Sequence, residues 1–417
     1  MTSRRLFIKS GTMAMLSVGF APSFLLRAAE ASTGRQRLLI AIFQRGAVDG
    51  LNMVVPYGEA DYYRLRPSIA IPRPGAANGG ALDLDGFFGL HPAMAPLKPY
   101  WDNSSLAIVH ACGSPDSTRS HFDAQDYMET ATPGVKSTRD GWLNRYLQGG
   151  GEQGAGVQGA GERNPLRGVA VTRQMPRVLQ GTAPSLALGA VDDFRVRGDM
   201  AAARAAESAY AGDAVLGGAA DEAFEAMRTL RAAAPGTYRP AAGVTYPRSA
   251  FGQALQEIAR LAKADVGLEV AFAESNNWDH HVNEGGVTGQ VATRLADLTG
   301  GLAALAADLG DRMADTVIIT MSEFGRAVAE NGNGGTDHGH GNAMLLLGGP
   351  VAGRHVYGRW PGLTDSQRFE GRDLAVTTDF RDVFTDVITR HLGAPQSTLA
   401  RVFPGFTPSR ALNIVRA

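Results

Sequence analysis

Three short polar clusters in this 417-residue sequence hold the side chains best suited to metal-assisted chemistry: Ser120-His121-Phe122-Asp123, Trp278-Asp279-His280-His281 and Gly335-Thr336-Asp337-His338-Gly339-His340-Gly341. Imidazole nitrogens and carboxylate oxygens are common ligands of a divalent ion, which can polarise an ester and activate water. Asp279 and His281, separated by one residue, could face one ion as an oxygen and a nitrogen ligand. His338 and His340 offer a second group, with glycines that let the backbone fold around a centre. Asp49 and Glu323 follow other apolar runs and would extend the set if independent loops converge on one crevice. The plainer alternative is that these histidines bond loop carbonyls and the carboxylates cap helices.

Ser120 precedes a helical pattern through Ala124, Tyr127 and Met128 and admits two roles. It could be an N-cap, or a nucleophile where free backbone N–H groups and the helix dipole welcome an anionic ester. Arg45, Arg119 and Arg326 stand beside the same loops and could neutralise that anion, or each could pair with a nearby carboxylate.

Groups so far apart in sequence need a scaffold that brings loop ends together. Arg37–Phe43 (RLLIAIF), Ser105–His110 (SLAIVH), Gly267–Ala273 (GLEVAFA), Thr316–Met321 (TVIITM) and Ala343–Leu347 (AMLLL) read as buried strands, each delivering its polar loop at its carboxyl end. Val291, Leu295, Leu298, Leu302, Leu305 and Leu309 recur at helical steps and mark one apolar face. This alternation predicts an α/β fold, a mostly parallel central sheet with helices on both faces. In such sheets functional groups collect beyond the carboxyl ends of the strands. Residues 148–164 read as a flexible Gly-rich surface loop, and about 195–240 as an Ala-rich helical insertion.

Composition agrees with a soluble globular protein: 44% hydrophobic, 19% charged, net charge −1. Disorder, collagen-like repeats and a disulfide-stapled miniprotein are excluded, and Cys112 alone cannot form an internal disulfide. Ser3-Arg4-Arg5-Leu6-Phe7-Ile8-Lys9, a moderately apolar stretch and Ala29-Glu30-Ala31 read as a twin-arginine export signal, cleaved after Ala31. Residues 32–417 then form the mature domain, engaged by the twin-arginine translocase during export and destined for the periplasm or secretion. The apolar stretch is shorter than the ~20 residues of a membrane span, so no stable span is expected. Cleavage leaves a net charge of −4, which disfavours nucleic acid as a partner.

The segments Arg45-Gly46-Ala47-Val48-Asp49-Gly50-Leu51-Asn52, Ser120-His121-Phe122, Trp278-Asp279-His280-His281, Ser322-Glu323-Phe324-Gly325-Arg326 and Gly335-Thr336-Asp337-His338-Gly339 together resemble the DUF1501 family of exported bacterial proteins. That family looks like a remote branch of the alkaline phosphatase and sulfatase superfamily. The resemblance implies an alkaline phosphatase-like fold and hydrolysis of phosphate or related anionic esters, small or polymer-linked, at one or two divalent ions such as zinc, manganese or calcium. It implies Ser120, with His121 beside it, as the catalytic pair. Asp49, Asp279, His281, Glu323, and His338 or His340 would be ligands, and Arg45 and Arg326 would hold the substrate anion.

The sequence departs from the superfamily at Phe324, where an Asp-His pair would place a histidine. Either His121 or His280 substitutes, or the site holds one ion, or catalysis is lost. Cys112-Gly113-Ser114-Pro115 does not fit the modification motif of formylglycine sulfatases. The competing expectation is a non-catalytic envelope or extracellular binding or assembly protein that keeps the fold.

Overall fold

A run that is apolar at every position has no solvent face, so it belongs in the interior of a sheet. Leu38–Gln44 (β1) is buried at all its residues and lies between two parallel partners, Val270–Ser275 (β8) and Thr316–Met321 (β9). The computed structural model describes residues 36–416 other than 78, 150–163, 194–223, 231–232, 234–236 and 410. The expected export signal and nearly all of the Gly-rich loop lie outside these residues. So does most of the Ala-rich insertion, of which 224–230 are helical.

The remaining strands are Val54–Val55 (β2), Leu82–Asp83 (β3), Gly89–Leu90 (β4), Leu106–Gly113 (β5), Gly168–Val171 (β6), Leu186–Leu188 (β7), Asn342–Leu347 (β10), His355–Tyr357 (β11) and Thr378–Asp379 (β12). The main sheet runs β11-β5-β10-β9-β1-β8-β6-β7, with β12 also on β5, while β2, β4 and β3 form a small antiparallel sheet. All pairings in the main sheet are parallel except those of β10, which runs against both β9 and β5. The sheet is thus mostly parallel, as its uniformly apolar strands suggest.

The direction of β10 corrects one expectation. Gly348-Gly349 follow that strand at the edge away from the polar loops, whereas the residues before it, Thr336–Gly341, lie at the carboxyl ends of β1, β5, β8 and β9. A strand buried on both faces has the same apolar pattern in either direction, so its sequence carries no sign of orientation.

The helices used below are α1 (Gly50–Met53), α2 (His121–Thr130), α3 (Trp142–Leu147), α4 (Ala250–Lys263), α5 (Gln290–Leu309) and α6 (Phe380–Asp386). Side chains of β1 alternate between two cores. Leu38, Ile40 and Ile42 pack with α4 and α5; Leu39, Ala41 and Phe43 pack with α3 and α6. The expected periodic helix is α5, with Val291, Leu295, Leu298, Leu302, Leu305 and Leu309 all buried. No helix among the described residues is long and apolar enough to cross a membrane.

Candidate metal centre

Five chain segments meet at one edge of the sheet, and close backbone contacts fix how they meet. Gly46, after β1, has φ +110° and would place a Cβ 2.8 Å from the Asp279 backbone nitrogen. Only glycine permits that approach. Its N–H donates to Glu323 Oε1 at 2.8 Å, tying the β1 loop to the β9 loop. Gly335 packs its Cα against the carbonyls of His280 and His281 so closely that a Cβ would lie 2.5–2.6 Å from them. The loops carrying His281 and His338 are thereby brought together.

One oxygen or nitrogen from each of His121, Asp279 and His338 falls within 4.8 Å of the others. His121 Nε2 lies 3.5 Å from Asp279 Oδ2, and His338 Nε2 lies 3.2 Å from Asp279 Oδ1. His281 joins this group, its Nε2 being 3.0 Å from Asp279 Oδ1 and 2.9 Å from His338 Nε2. Ligand atoms around a tetrahedral ion with bonds of about 2.0–2.1 Å are about 3.3 Å apart, so these separations suit a small divalent ion.

The second nitrogen of each ring explains the orientation. His338 Nδ1 lies 2.9 Å from the Arg119 carbonyl oxygen, which can only accept, so Nδ1 carries the proton. His121 Nδ1 faces Glu323 Oε1 at 2.8 Å, and His281 Nδ1 faces Asp337 Oδ1 at 3.1 Å. Both carboxylates are held ionised. Burial opposes this for Glu323, but hydrogen bonds from His121 and Gln125 outweigh it; for Asp337 the Asn331 bond is the leading cause. In the neutral state all three imidazoles therefore present Nε2 lone pairs to the cluster. Two such lone pairs 2.9 Å apart repel unless a cation lies between them. His121 Nε2 is buried without a hydrogen-bond partner, which is expensive unless an ion completes it. These donors fit a divalent ion, and Asp279, with a side chain 44% exposed, leaves the centre reachable from solvent.

Electrostatics reinforce the arrangement. Partial burial disfavours ionised Asp279, but the Arg326 hydrogen bond and charge, aided by His281 and His121, hold its pKa down to about 2. His121 is pushed up, first by its bond to Glu323 and against burial; burial pushes His338 down.

Several expected residues sit elsewhere. Glu323, fully buried, is oriented toward His121 as a supporting carboxylate: its Oε1 accepts from Gly46, His121 and Gln125. Asp49 is turned from the cluster to the buried Arg66 guanidinium, which it binds with both oxygens, and caps α1 through Leu51 N–H. His340 is buried with its ring stacked on Phe369, 4.4 Å between centroids. The anion-binding expectation for two arginines is corrected by their contacts. Arg45 gives its nitrogens to Glu274, Gln125 and Glu129, and Arg326 gives its own to Asp279 and the carbonyls of Gly46, Ala47, Trp278 and Thr336. Carboxylates and carbonyls buried beside a guanidinium claim its N–H groups before any substrate arrives.

Phe324 does not fill the crevice. Its ring is 5.0 Å from both the His121 and His338 rings and forms an apolar wall behind them. Sequence reasoning missed Gln125, Glu284 and Arg66. Gln125 faces the Glu323 carboxylate from one turn beyond His121, a spacing that could have signalled it. Glu284 links two loops, accepting from Thr336 Oγ1 at 2.7 Å and donating its N–H to Gly334.

Because Glu323 fixes the His121 ring, Glu323→Gln is expected to weaken divalent metal binding by about 10–100-fold. Calorimetric titration of the metal-stripped protein with zinc or manganese checks this, and unchanged affinity would remove Glu323 from that role.

Comparison with known proteins gives two matches. A family described as "Protein of unknown function (DUF1501)" matches residues 36–399. The chain is also similar to the crystal structure of the PsFucS1 sulfatase from Pseudoalteromonas sp., at 13% identity and a TM-score of 0.36, covering 95% of this chain and 78% of that one. A likeness with so low a TM-score carries no argument about chemistry. No curated protein matches.

Proposed function

The chain belongs to the DUF1501 family, and we propose that it acts as an exported metal-dependent hydrolase of phosphate or related anionic esters. The observation that carries this reading is the convergence of three Nε2 lone pairs on the Asp279 carboxylate, each imidazole pinned through Nδ1. His121, Asp279, His281 and His338 would hold one divalent ion, whose Lewis acidity would polarise an ester oxygen and ease loss of a proton from a nearby hydroxyl.

The protein's own groups supply the rest. Ser120 is exposed at the start of α2, next to His121, and its side chain makes no capping bond. Its hydroxyl is therefore free to attack. The first turn of α2 presents backbone N–H groups and the positive end of the helix dipole to the charge that builds on the transferred group. Arg372 is a half-exposed cation at the rim, its guanidinium donating to the His338 carbonyl at 2.9 Å and lying 3.4 Å from the Asp373 carboxylate, which offsets part of its charge. Expected cleavage after Ala31 supports action in the periplasm or outside the cell.

The test is turnover of a panel of phosphate monoesters, phosphodiesters and sulfate esters by the signal-cleaved protein. In Ser120→Ala, turnover is expected to fall by at least about 10³-fold with metal content unchanged. Full turnover in that variant would leave water, not Ser120, as the nucleophile. Absence of turnover on the whole panel by metal-replete wild type would sink the hydrolase reading.

A further inference from the structure

The carbonyl that orients the His338 ring belongs to Arg119, in the segment between β5 and α2. That segment shapes itself by local turns. Asp116 N–H donates to Ser114 Oγ, Thr118 N–H to Asp116 Oδ1 and Ser120 N–H to Thr118 Oγ1, at 2.8–3.2 Å. Such turns set the path of the chain without fixing it against another loop. Among the described residues, the hydrogen bonds and ion pairs that tie residues 115–120 to other loops all come from Arg119. Its carbonyl oxygen accepts from His338 Nδ1 at 2.9 Å, and its guanidinium reaches Asp373 and Glu370.

Asp373 is the anchor of the two. It is fully buried, and its Oδ2 accepts from Arg119 Nε at 3.0 Å and Nη2 at 2.6 Å. Its Oδ1 is buried with no hydrogen-bond partner, 3.4 Å from Arg372 Nη1. A carboxylate kept from water in this way is unfavourable unless cations answer it, so it holds its arginines firmly. Arg372 also donates from Nη2 to the His338 carbonyl at 2.9 Å. Both arginines that share Asp373 therefore touch His338, Arg119 at the ring and Arg372 at the backbone. The backbone under Asp373 is fixed in turn. Phe369 and Asp373 exchange N–H···O bonds of 2.8 and 3.0 Å across a tight turn in which Glu370 and Gly371 have φ +54° and +66°. Val328 N–H donates to the Arg372 carbonyl and Gly341 N–H to the Leu374 carbonyl, which staples this hairpin to the chain before and after His338. The Phe369 ring stacks on His340 from the same hairpin.

We infer that Asp373 is a positioning residue of the metal centre: by holding Arg119 it fixes the carbonyl that keeps the proton on His338 Nδ1 and turns Nε2 toward the ion. This rests on the metal centre of the hydrolase reading and adds a residue to its support. Partners directly behind a ligand contribute about 10–100-fold to metal affinity, so a carboxylate one step further back is expected to contribute about tenfold. Glu370 is more than half exposed, and its ion pair with Arg119 should contribute little.

The experiment titrates the metal-stripped, signal-cleaved protein with zinc and, separately, with cobalt(II), whose visible absorption reports ligand geometry. Asp373→Asn, Arg119→Met and the double variant are compared with wild type, and circular dichroism verifies their fold. Each single variant is expected to bind zinc about tenfold more weakly and to alter the cobalt spectrum. The double variant should lose no more than either single one, because the two residues act as one unit. Glu370→Gln should bind zinc as wild type does. Wild-type affinity and an unchanged cobalt spectrum in folded Asp373→Asn would confine Asp373 to a structural role and overturn the inference. A loss of about 100-fold in the double variant would mean that the residues act separately, and a Glu370→Gln loss equal to that of Asp373→Asn would make the exposed carboxylate the anchor; either overturns it. If Asp373→Asn does not fold, Arg119→Met, at a partly exposed side chain, carries the same test. Wild type that binds metal but turns over none of the ester panel fails the hydrolase reading alone, and the titrations still decide the role of Asp373. Wild type that takes up no metal overturns both.

Discussion

Asp279→Ala is expected to take bound divalent metal from about one equivalent to background and to lower turnover by at least about 10³-fold. Asp279 stands at the middle of the donor set, with one oxygen toward His121 and the other toward His281 and His338. Its loss leaves three neutral rings with no charge to balance an ion. The fold should survive, because Arg326 keeps four carbonyl acceptors when Asp279 is gone. Inductively coupled plasma mass spectrometry of protein purified without chelators reads the result, with Asp279→Ala/His281→Ala alongside. Wild-type metal content in the single variant would remove Asp279 from the ligand set. Metal in neither protein, even after reconstitution, would favour the non-catalytic binding protein.

Asp49→Ala is expected to act on stability instead, costing about 3–5 kcal/mol in urea unfolding at neutral pH while the folded fraction keeps its metal. Arg66 is wholly buried and would lose its one bidentate carboxylate, keeping Asn52, the carbonyls of Ala327 and Val328 and the more distant Glu284 carboxyl. Replacing both partners, as in Asp49→Leu/Arg66→Met, should cost less than Asp49→Ala alone, since no unpaired charge remains. Loss of metal from folded Asp49→Ala would restore Asp49 to the centre.

The pair also sets a pH signature. Burial alone would raise the Asp49 pKa, but the charge and hydrogen bonds of Arg66 outweigh it and lower it below its unfolded value. Its contribution is therefore complete above the unfolded carboxyl pKa of about 3.9 and is lost as pH falls through the folded value. Glu284 has the opposite sign, raised by burial and by the charge of Asp49, so its contribution is present below its unfolded pKa and fades as pH rises. Acid unfolding of the wild type should show the Asp49 component, and Asp49→Ala should lack it.

How far the sequence could be read follows from what each pattern encodes. TVIITM marks β9 at its observed ends because strand length and burial are both local properties. The helical steps from Val291 to Leu309 identify α5 for the same reason. Asp279, His281 and His338 could be named as candidates from residue type and loop position. Residue type could not tell Glu323 from a ligand, because a carboxylate that orients a histidine and one that binds an ion look identical until the ring lies between them. Asp49 misleads for a similar reason: its partner Arg66 follows 17 residues later, in a segment with no motif to mark it. The fates of Arg45 and Arg326 depend on groups from three loops, α2 and β8, which no single window of sequence contains.

The long separation of these partners bears on the order of events during folding. His121 and Glu323 are 202 residues apart, and β1 closes against β8 and β9 only after most of the chain exists. Such non-local pairing gives high contact order and slow assembly. The donor set is consequently one of the last things completed, so an ion cannot nucleate this fold as it does in a zinc finger. It enters a scaffold already built, and a nascent chain that stops at the end of β9 would still lack His338, the last of its donors.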